Sequence, residues 1–328
     1  MTAPGVEPVN AVIDAGGAHL PGLLEQVEAR LREIAADAGP PLGGWATATI
    51  AAGGKRLRPL LVLLAAGAPG DGGAGAVRAG TAVELVHAAT LVHDDVLDAA
   101  ALRRGAPTVW ATAGREAATA TGDYLFARAF SELAGNEDPR QAQVLSDASS
   151  ALARGELLQR ADAWNAAITM ERYLERCDLK TARLFEAACV LGELNGVAPA
   201  AEPALGEFGR RIGLAFQLLD DVLDVSGPAE RTGKHRGTDL LDGTVTLPLI
   251  LAREADPALA ALDPRTIATA GEAERVCDAI AATGALEAAR SRALSLVADA
   301  KAELPADLPE AQRRALGLVA DGVVDRYA

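Results

Sequence analysis

The sequence predicts an all-helical protein, and three observations support this fold class. Alanine, leucine, glutamate and arginine, which favour helices, are abundant, whereas only 3% of the 328 residues are aromatic. Apolar residues recur at helical spacing, and no segment shows the alternation that is typical of a half-buried strand. No linker divides the chain. We therefore expect a flexible N-terminal arm over residues 1–18, which contain Pro and Gly, and a single helical domain over residues 19–328.

The individual helices follow from apolar spacing and from the Gly and Pro residues that interrupt it. In the first, Leu23, Val27 and Leu31 lie on one face, and a Gly-Pro-Pro sequence at residues 39–41 ends it. The predicted helices span residues 20–36, 42–52, 76–98, 115–133, 140–164, 169–194 and 204–225, with three or four more between residues 244 and 328.

The pentapeptide Asp-Asp-Val-Leu-Asp occurs twice, each time after an apolar segment that is free of proline. With about 100° of rotation per helical residue, its three aspartates fall on one side of a helix. These aspartates are Asp94, Asp95 and Asp98 in the first copy, and Asp220, Asp221 and Asp224 in the second. One such triplet is typical of a solvated acidic face, but two copies at the ends of apolar helices favour a functional site.

Three carboxylates on one arc repel each other, and the C-terminus of a helix favours cations. We therefore expect a positive group beside each triplet. Oxygen ligands with no nearby pair of Cys or His favour Mg²⁺ over zinc, and Mg²⁺ completes its shell with water and substrate phosphate oxygens. If the two triplets face each other, several Mg²⁺ ions could be held around one diphosphate and neutralise it as it leaves.

A turn rich in glycine and cations, GGKRLRP at residues 53–59, precedes an apolar segment. Its cations are either solvated at a helix end or placed to hold a diphosphate, since Arg offers a planar fork and Lys a point charge. His87 lies seven residues before Asp94 on the same helix face, so it is either a core residue or a hydrogen-bond donor to substrate. Arg103 and Arg104 follow the first triplet, and exposed ion pairs alone stabilise too little to explain them.

Further candidates lie in the second half of the chain. Lys180 and Thr181 lie in the middle of a predicted helix among apolar residues, where such a pair is normally a surface feature. Gln217 precedes Asp220 by three residues and shares its helix face. The segment at residues 226–243 is long and rich in glycine and basic residues, so it is a candidate lid over a phosphate group.

The composition argues against several classes of partner. The net charge of −14 disfavours nucleic acid or an anionic membrane surface as the main partner. The three cysteines lack metal-ligand spacing and indicate free thiols in a reducing compartment. The first residues lack the basic and apolar regions of a signal peptide, and the longest apolar run, of about 12 residues, is too short to span a bilayer. We expect a soluble, cytoplasmic protein.

Taken together, these motifs resemble those of the trans-polyprenyl diphosphate synthases. The resemblance covers roughly residues 42–250, and six motifs occur in the order and spacing of that family. They are the turn at residues 53–59, the segment from His87 to Arg104, Lys180-Thr181, Phe216-Gln217 with the second pentapeptide, Gly233-Lys234, and residues 237–240.

The resemblance implies an antiparallel helical bundle with a deep central cavity, usually a homodimer, with Mg²⁺ (two or three ions) as cofactor. Isopentenyl diphosphate would be bound by Lys55, Arg58, His87 and Arg104. The allylic diphosphate would be bound by Arg103, Lys180, Thr181, Gln217 and Lys234. The implied metal ligands are the six aspartates of the two pentapeptides, and the implied catalytic residues are Asp94, Asp95, Asp98, Asp220, Asp221 and Lys180.

The implied reaction is ionisation of the allylic diphosphate, attack by the isopentenyl double bond and loss of a proton, repeated on the lengthened product. In this family a bulky aromatic residue four or five positions before the first motif stops growth early. Here Thr90 and Ala89 occupy those positions and Val86 lies one turn deeper, and none of them is large. Because apolar burial draws the tail inward, we predict a product of about C30 to C50. Phe126 or Phe130 on another helix is the alternative floor of the cavity.

The sequence leaves three competing functions to compare with this one. A short-chain synthase, with products of about C15 to C20, would need a plug that this helix lacks, although another helix could supply one. A terpene cyclase would normally mix Asn, Ser or Thr with Glu in its second motif, whereas this chain repeats the first motif. A non-catalytic subunit typically lacks one aspartate motif. The resemblance implies no nucleic-acid partner and at most peripheral membrane contact for product release.

Overall fold

The computed structural model describes residues 6–68, 71–197, 203–227 and 236–325. Helices joined by short turns make up most of these residues, which confirms the predicted fold class. In chain order they are α1 Val6–Gly16, α2 Leu20–Asp37, α3 Leu42–Ala51, α4 Leu57–Ala66, α5 Ala74–Leu97, α6 Val109–Leu133, α7 Arg140–Ala161, α8 Met170–Cys177, α9 Arg183–Glu193, α10 Gly206–Ser226, α11 Thr238–Leu241, α12 Leu247–Ala255, α13 Pro257–Ala261, α14 Ala270–Ala282, α15 Ala285–Ala302 and α16 Glu310–Asp325. A π-helical turn, Asp178–Ala182, joins α8 to α9, and a 3₁₀ turn, Pro264–Thr266, follows α13.

The two helices that carry the pentapeptides lie inside the bundle. α5 is buried on most of its surface and packs along α6, with α2, α4 and α9 on its other sides. α10 packs against α9 and α15. Because α9 contacts both α5 and α10, it holds the two acidic helix ends in one part of the bundle. The predicted burial of both helices is confirmed.

Buried apolar side chains form one connected core that extends from Val12 in α1 to Val323 in α16. Local sequence explains where several helices begin. The hydroxyl groups of Thr108 and Thr169 accept hydrogen bonds from the first turns of α6 and α8, and Thr269 forms a capping box with Glu272 at the start of α14. Among the described residues, no helix has both the length and the apolar character needed to cross a bilayer.

A short β-hairpin contradicts the expectation of no strands. Leu102–Arg103 (β1) pairs with Ala106–Pro107 (β2), and Arg104 and Gly105 form the two-residue turn between them. Both turn residues have positive φ, 52° and 78°, as this tight hairpin requires. The strands are too short to show alternation in sequence, which is why the pattern missed them. The hairpin holds Arg103 and Arg104 at fixed positions beside the end of α5.

The N-terminal segment also differs from the prediction of a loose arm. Residues 6–16 form α1, which packs against α16, the last helix of the chain. Gly and Pro near the N-terminus suggested irregular structure, but burial of Val12 against the core favours a helix. The prediction over residues 1–5 lies outside the described residues.

The predicted helix at residues 169–194 is interrupted. It consists of α8, the π-helical turn and α9, so the side chains after Cys177 are rotated relative to a continuous α-helix. π-Helical turns occur frequently at functional sites, because they alter the direction of the side chains that follow. Lys180 and Thr181 lie within this turn.

Candidate functional site

The C-terminal ends of α5 and α10 line one cavity of about 220 Å³. Asp94 and Asp98 line it from the first pentapeptide, and Asp220 and Asp221 line it from the second. The cavity also exposes further polar and charged side chains from β1, α7, α8, the π-helical turn, α10 and residues 238–246. They include Arg103, Gln159, Arg160, Arg176, Lys180, Gln217, Asp239 and Asp242. Two aspartates from each triplet therefore line one cavity.

Cations lie beside the first triplet. Asp95 is 5% exposed and accepts a hydrogen bond of 2.7 Å from Nε of Arg103 in the hairpin. Asp98, at the end of α5, forms an ion pair with Arg160 of α7. Asp94 remains partly exposed in the cavity, and burial raises the pKa of its carboxyl to about 6. The positive partners expected for this triplet are thus Arg103 and Arg160.

Neutral hydrogen-bond donors hold Asp221 of the second triplet. Asp221 is 4% exposed, and its two carboxylate oxygens accept hydrogen bonds from the Tyr173 hydroxyl, at 2.6 Å, and from Nε2 of Gln217, at 2.8 Å. Thr181 donates to the Gln217 oxygen at 2.6 Å, which fixes the orientation of that amide. Burial, together with the nearby charge of Asp239, raises the pKa of Asp221.

Two of the six predicted metal ligands do not line the cavity. Asp95 binds Arg103 instead. The side chain of Asp224 accepts a hydrogen bond of 3.3 Å from the backbone N–H of Asp239, and its carbonyl oxygen accepts one from Gly237. In this structure these two carboxylates hold the hairpin and the start of α11 against the ends of α5 and α10.

Lys180 occupies the wall of the cavity between α7 and the first triplet. Its Nζ forms an ion pair with Glu156 and donates to Oε1 of Gln159 at 3.2 Å. Burial opposes the charge on Lys180, but Asp94 and Glu156 outweigh that effect and raise its pKa. The close approach of α7 depends on Gly155, because a Cβ there would lie 2.5 Å from the backbone nitrogen of Lys180.

Arg103, Arg160 and Lys180 form a first cationic cluster in the cavity wall. A second cluster consists of Lys55, Arg58 and Arg104 together with His87, on which the charges of Arg58, Arg104 and Arg103 act. Arg58 stacks over Phe185, with 4.6 Å from its guanidinium carbon to the ring centroid. Arg104 approaches Gly54 so closely that a Cβ on that glycine would lie 2.8 Å from its Nη1. Burial, and then the charges of Arg58 and Arg104, hold the pKa of His87 well below its usual range, so its imidazole is neutral. Lys55 lies exposed on the turn between α3 and α4.

Arg56, the remaining cation of that turn, has a structural function. It adopts a left-handed conformation, with φ of 48°, before α4. Its guanidinium forms ion pairs with Glu28 of α2 and Glu84 of α5 and donates to the carbonyl oxygen of Ile50. These contacts fix the basic turn against three helices, so Arg58 is presented at the start of α4.

Most of the predicted substrate-binding residues are therefore brought to these two clusters, and Lys234 lies outside the described residues. Several residues of the site were missed. Arg160, Arg176 and Asp242 line the cavity, and Tyr173 and Glu156 contact residues that line it. The spacing of Glu156 and Arg160 by four residues gave a weak signal for a helix ion pair. No local signal distinguishes Tyr173 or Arg176 from ordinary residues of an amphipathic helix.

The predicted chain-length residues lie deeper along α5. Val86 and Ala89 are fully buried, and Thr90 is partly buried, with its hydroxyl donating to the carbonyl oxygen of His87. Phe126 and Phe130 of α6 pack against the same core. A substrate tail that passed Val86 and Ala89 would displace the side chains now packed against them.

Oxygen donors are the groups available for a metal ion at this site. Within the described part of the chain, no three carboxylate, histidine or cysteine side chains converge as a closed metal site. An open arrangement of carboxylates fits Mg²⁺, because this ion usually takes one or two protein carboxylates and fills its shell with phosphate oxygens and water.

The fold and the site define an all-helical protein whose cavity is lined by carboxylates and cations. The family model described as Polyprenyl synthetase matches residues 41–282. Heptaprenyl diphosphate synthase component 2 of Geobacillus stearothermophilus is 42% identical over 83% of this chain and 85% of its own length. The chain belongs to the polyprenyl synthetase family, which confirms the prediction of a prenyltransferase.

Solved structures agree with this assignment. A decaprenyl diphosphate synthase from Rhodobacter capsulatus superposes with a TM-score of 0.87 at 37% identity, covering 96% of this chain and 99% of that one. A polyprenyl synthase from Caulobacter crescentus CB15, complexed with calcium and isoprenyl diphosphate, gives a TM-score of 0.85 at 34% identity and covers 98% of both chains. The fold is therefore that of the isoprenoid synthases.

Proposed function

We propose that this chain is a Mg²⁺-dependent trans-polyprenyl diphosphate synthase with products of about C30 to C50. It would condense isopentenyl diphosphate with an allylic diphosphate in successive steps. One observation supports this most strongly: both acidic helix ends line a single cavity together with Lys180, so carboxylates and cations lie around a space that fits a diphosphate.

The two cationic clusters suggest separate sites for the two substrates. Lys55, Arg58, Arg104 and neutral His87 would bind isopentenyl diphosphate, with His87 as a hydrogen-bond donor. The allylic diphosphate would lie in the acidic cavity, which Arg103 also lines. There Lys180 offers a positive charge, and Thr181 and Gln217 keep Asp221 oriented.

The donor set favours Asp94, Asp98, Asp220 and Asp221 as the carboxylates that hold Mg²⁺, because these four line the cavity. When bound, Mg²⁺ would neutralise charge that develops on the departing diphosphate. Asp95 and Asp224 would support the site by positioning Arg103 and Asp239. The calcium in the Caulobacter structure supports a divalent cation in this family.

Binding of Mg²⁺ is expected to stabilise the protein more at pH 8 than at pH 5. The pKa of Asp94 in the folded chain, about 6, lies above that of an unfolded aspartate. Ionisation of Asp94 therefore lowers the free energy of unfolding as the pH rises through about 6, and a bound cation offsets this loss of stability. With Mg²⁺ at a hundredfold excess over Kd, the expected gain at pH 8 is about 2–3 kcal/mol, measured from thermal unfolding. At pH 5 we expect less than half of this stabilisation.

The Asp94→Asn variant is the control for that measurement, since it keeps the shape of the side chain without the charge. It should lose most of the gain at pH 8. A gain that is equal at both pH values, and unchanged in the variant, would show that Mg²⁺ binds elsewhere.

The direct test of the proposed function is incubation of the purified chain with Mg²⁺, labelled isopentenyl diphosphate and a short allylic primer. We expect linear products of about C30 to C50. Ala89→Phe should shorten them, because the ring would occupy a fully buried position beside the proposed path of the tail. Ala88→Phe, about 100° away around the helix, is the matched control.

Each part of the proposal would be contradicted by a different experimental result. A product of C20 or shorter from the unmodified chain would overturn the product length, and a cyclic hydrocarbon would overturn the reaction. Equal shortening by Ala88→Phe and Ala89→Phe would mean that general overpacking of α5, rather than the path of the tail, sets the length.

A homodimer in the cytoplasm completes the proposal. The buried, free thiols of Cys177, Cys189 and Cys277 support a reducing compartment. The family resemblance supports a dimer, and sedimentation of the purified chain would test it.

A further inference from the structure

Arg176, near the end of α8, is a buried cation in the wall of the acidic cavity. It is only 3% exposed, and its side chain belongs to the cavity lining. Nη2 donates a hydrogen bond of 2.7 Å to the carbonyl oxygen of Val245. Nη1 is buried and has no hydrogen-bond partner among the residues that the structure describes. The guanidinium is therefore fixed at one nitrogen and unsatisfied at the other.

The other cations of the cavity are neutralised by carboxylates. Arg103 pairs with Asp95, Arg160 with Asp98 and Glu156, and Lys180 with Glu156. Arg176 forms no ion pair within 4.0 Å among the described residues. A buried charge without a paired carboxylate is costly, so it favours a partner that the described residues do not supply.

Its neighbours account for the position of Arg176 but not for its charge. The guanidinium carbon lies 5.4 Å from the centroid of the Tyr173 ring, which is within reach of a cation–π contact. The charge of Arg176 acts on Asp221, where it partly offsets the rise in pKa that burial causes, but the two oxygens of Asp221 already accept hydrogen bonds from Tyr173 and Gln217. A phosphate oxygen in the cavity would satisfy both the free N–H of Arg176 and its charge.

We propose that Arg176 is an additional diphosphate-binding residue, which contacts the allylic diphosphate and the pyrophosphate that it releases. This inference rests on the function proposed above. Arg176 lies one helical turn before Lys180, and both side chains line the cavity. Its bond to Val245 also joins α8 to the segment that supplies Thr244 and Thr246 to the cavity wall, so the guanidinium is preorganised for binding.

The test uses inorganic pyrophosphate in the presence of Mg²⁺, with its affinity for the full-length protein measured by isothermal titration calorimetry. Arg176→Met should weaken the affinity by about 10- to 100-fold, as expected for the loss of a hydrogen bond to a charged group. Arg176→Lys keeps the charge without the planar fork, and a smaller loss is expected. In steady-state assays KM for the allylic substrate should rise, while KM for isopentenyl diphosphate should change little.

Arg253→Met is the matched control, because Arg253 also holds backbone carbonyl oxygens, those of Leu259, Ala260 and Leu262, but does not line the cavity. It should leave the pyrophosphate affinity within about twofold of the unmodified protein. If Arg176 were purely structural, Arg176→Met would lower thermal stability but would leave the pyrophosphate affinity unchanged.

Two outcomes separate this inference from the proposed function. If the unmodified protein binds pyrophosphate and folded Arg176→Met binds it equally well, the inference is wrong and the function stands. If the unmodified protein binds no pyrophosphate and has no prenyltransferase activity, the function itself fails. Should both Arg176 variants unfold, a crystal structure of the unmodified protein with Mg²⁺ and pyrophosphate decides: phosphate oxygens beyond hydrogen-bond distance of Nη1 would overturn the inference.

Discussion

Replacement of Asp94 by alanine is expected to lower kcat by about a thousandfold, or about 4 kcal/mol of transition-state stabilisation, while the helical fold remains intact. Asp94 is the carboxylate of the first triplet that lies within α5 and also lines the cavity. In the proposed reaction it holds a cation against the departing diphosphate, and that interaction strengthens as the C–O bond breaks. The loss should therefore appear in kcat more than in KM.

The stability of this variant should stay close to that of the unmodified chain. Burial raises the pKa of Asp94, so the folded state disfavours its ionised form and gains nothing from the charge at neutral pH. Circular dichroism and thermal unfolding would check the fold, and Asp220→Ala should behave in the same way in the activity assay.

An aspartate on the outside of the bundle provides the comparison. Asp299 of α15 is exposed, and Asp299→Ala should leave kcat within about twofold, as is usual for surface substitutions. Near-normal turnover in Asp94→Ala would remove this carboxylate from the metal site, and the assignment of the first triplet would then be wrong.

Replacement of Lys180 by methionine should lower kcat/KM for the allylic substrate by about a hundredfold. Lys180 supplies a positive charge to the cavity wall from a turn that α7 holds in place at Gly155. Charge-assisted bonds to a diphosphate are about twice as strong as neutral ones, and methionine keeps the apolar stem without them. Initial rates at varied allylic substrate measure the effect.

The same substitution should also lower stability, by about 1–3 kcal/mol, because Glu156 loses the ammonium with which it pairs. The double variant Lys180→Met with Glu156→Gln separates the two effects. It should recover most of the thermal stability, since the glutamine carries no charge, but none of the activity. Recovery of activity along with stability would mean that Lys180 serves only to neutralise Glu156.

The local features of the fold were predictable from sequence because they depend on neighbouring residues. The spacing of Leu23, Val27 and Leu31 predicts the buried face of α2, and these residues are buried in the structure. Glycine and proline locate most helix ends. The β-hairpin at Leu102–Pro107 and the π-helical turn at Asp178–Ala182 were not predicted, because each is too short to impose a periodic pattern.

The candidate site was predictable in part. The repeated pentapeptide and the cations near it identified the chemistry, and four of the six aspartates do line one cavity. The sequence could not show that Asp95 and Asp224 turn instead to Arg103 and to the backbone of Asp239. Residues of one triplet share a helix face, but their partners lie on other elements.

By itself the sequence determined the helical architecture, the burial of the two pentapeptide helices and the abundance of carboxylate oxygens at their ends, because helical period and residue type are local properties. Only the tertiary structure decided which carboxylates face the cavity and which side chains join them. Tyr173 of α8 donates to Asp221 of the second triplet, which lies 48 residues later in the chain, and Arg176 of α8 lines the same cavity. Such contacts depend on how helices pack and on the rotation introduced by the π-helical turn, neither of which is encoded in a local pattern.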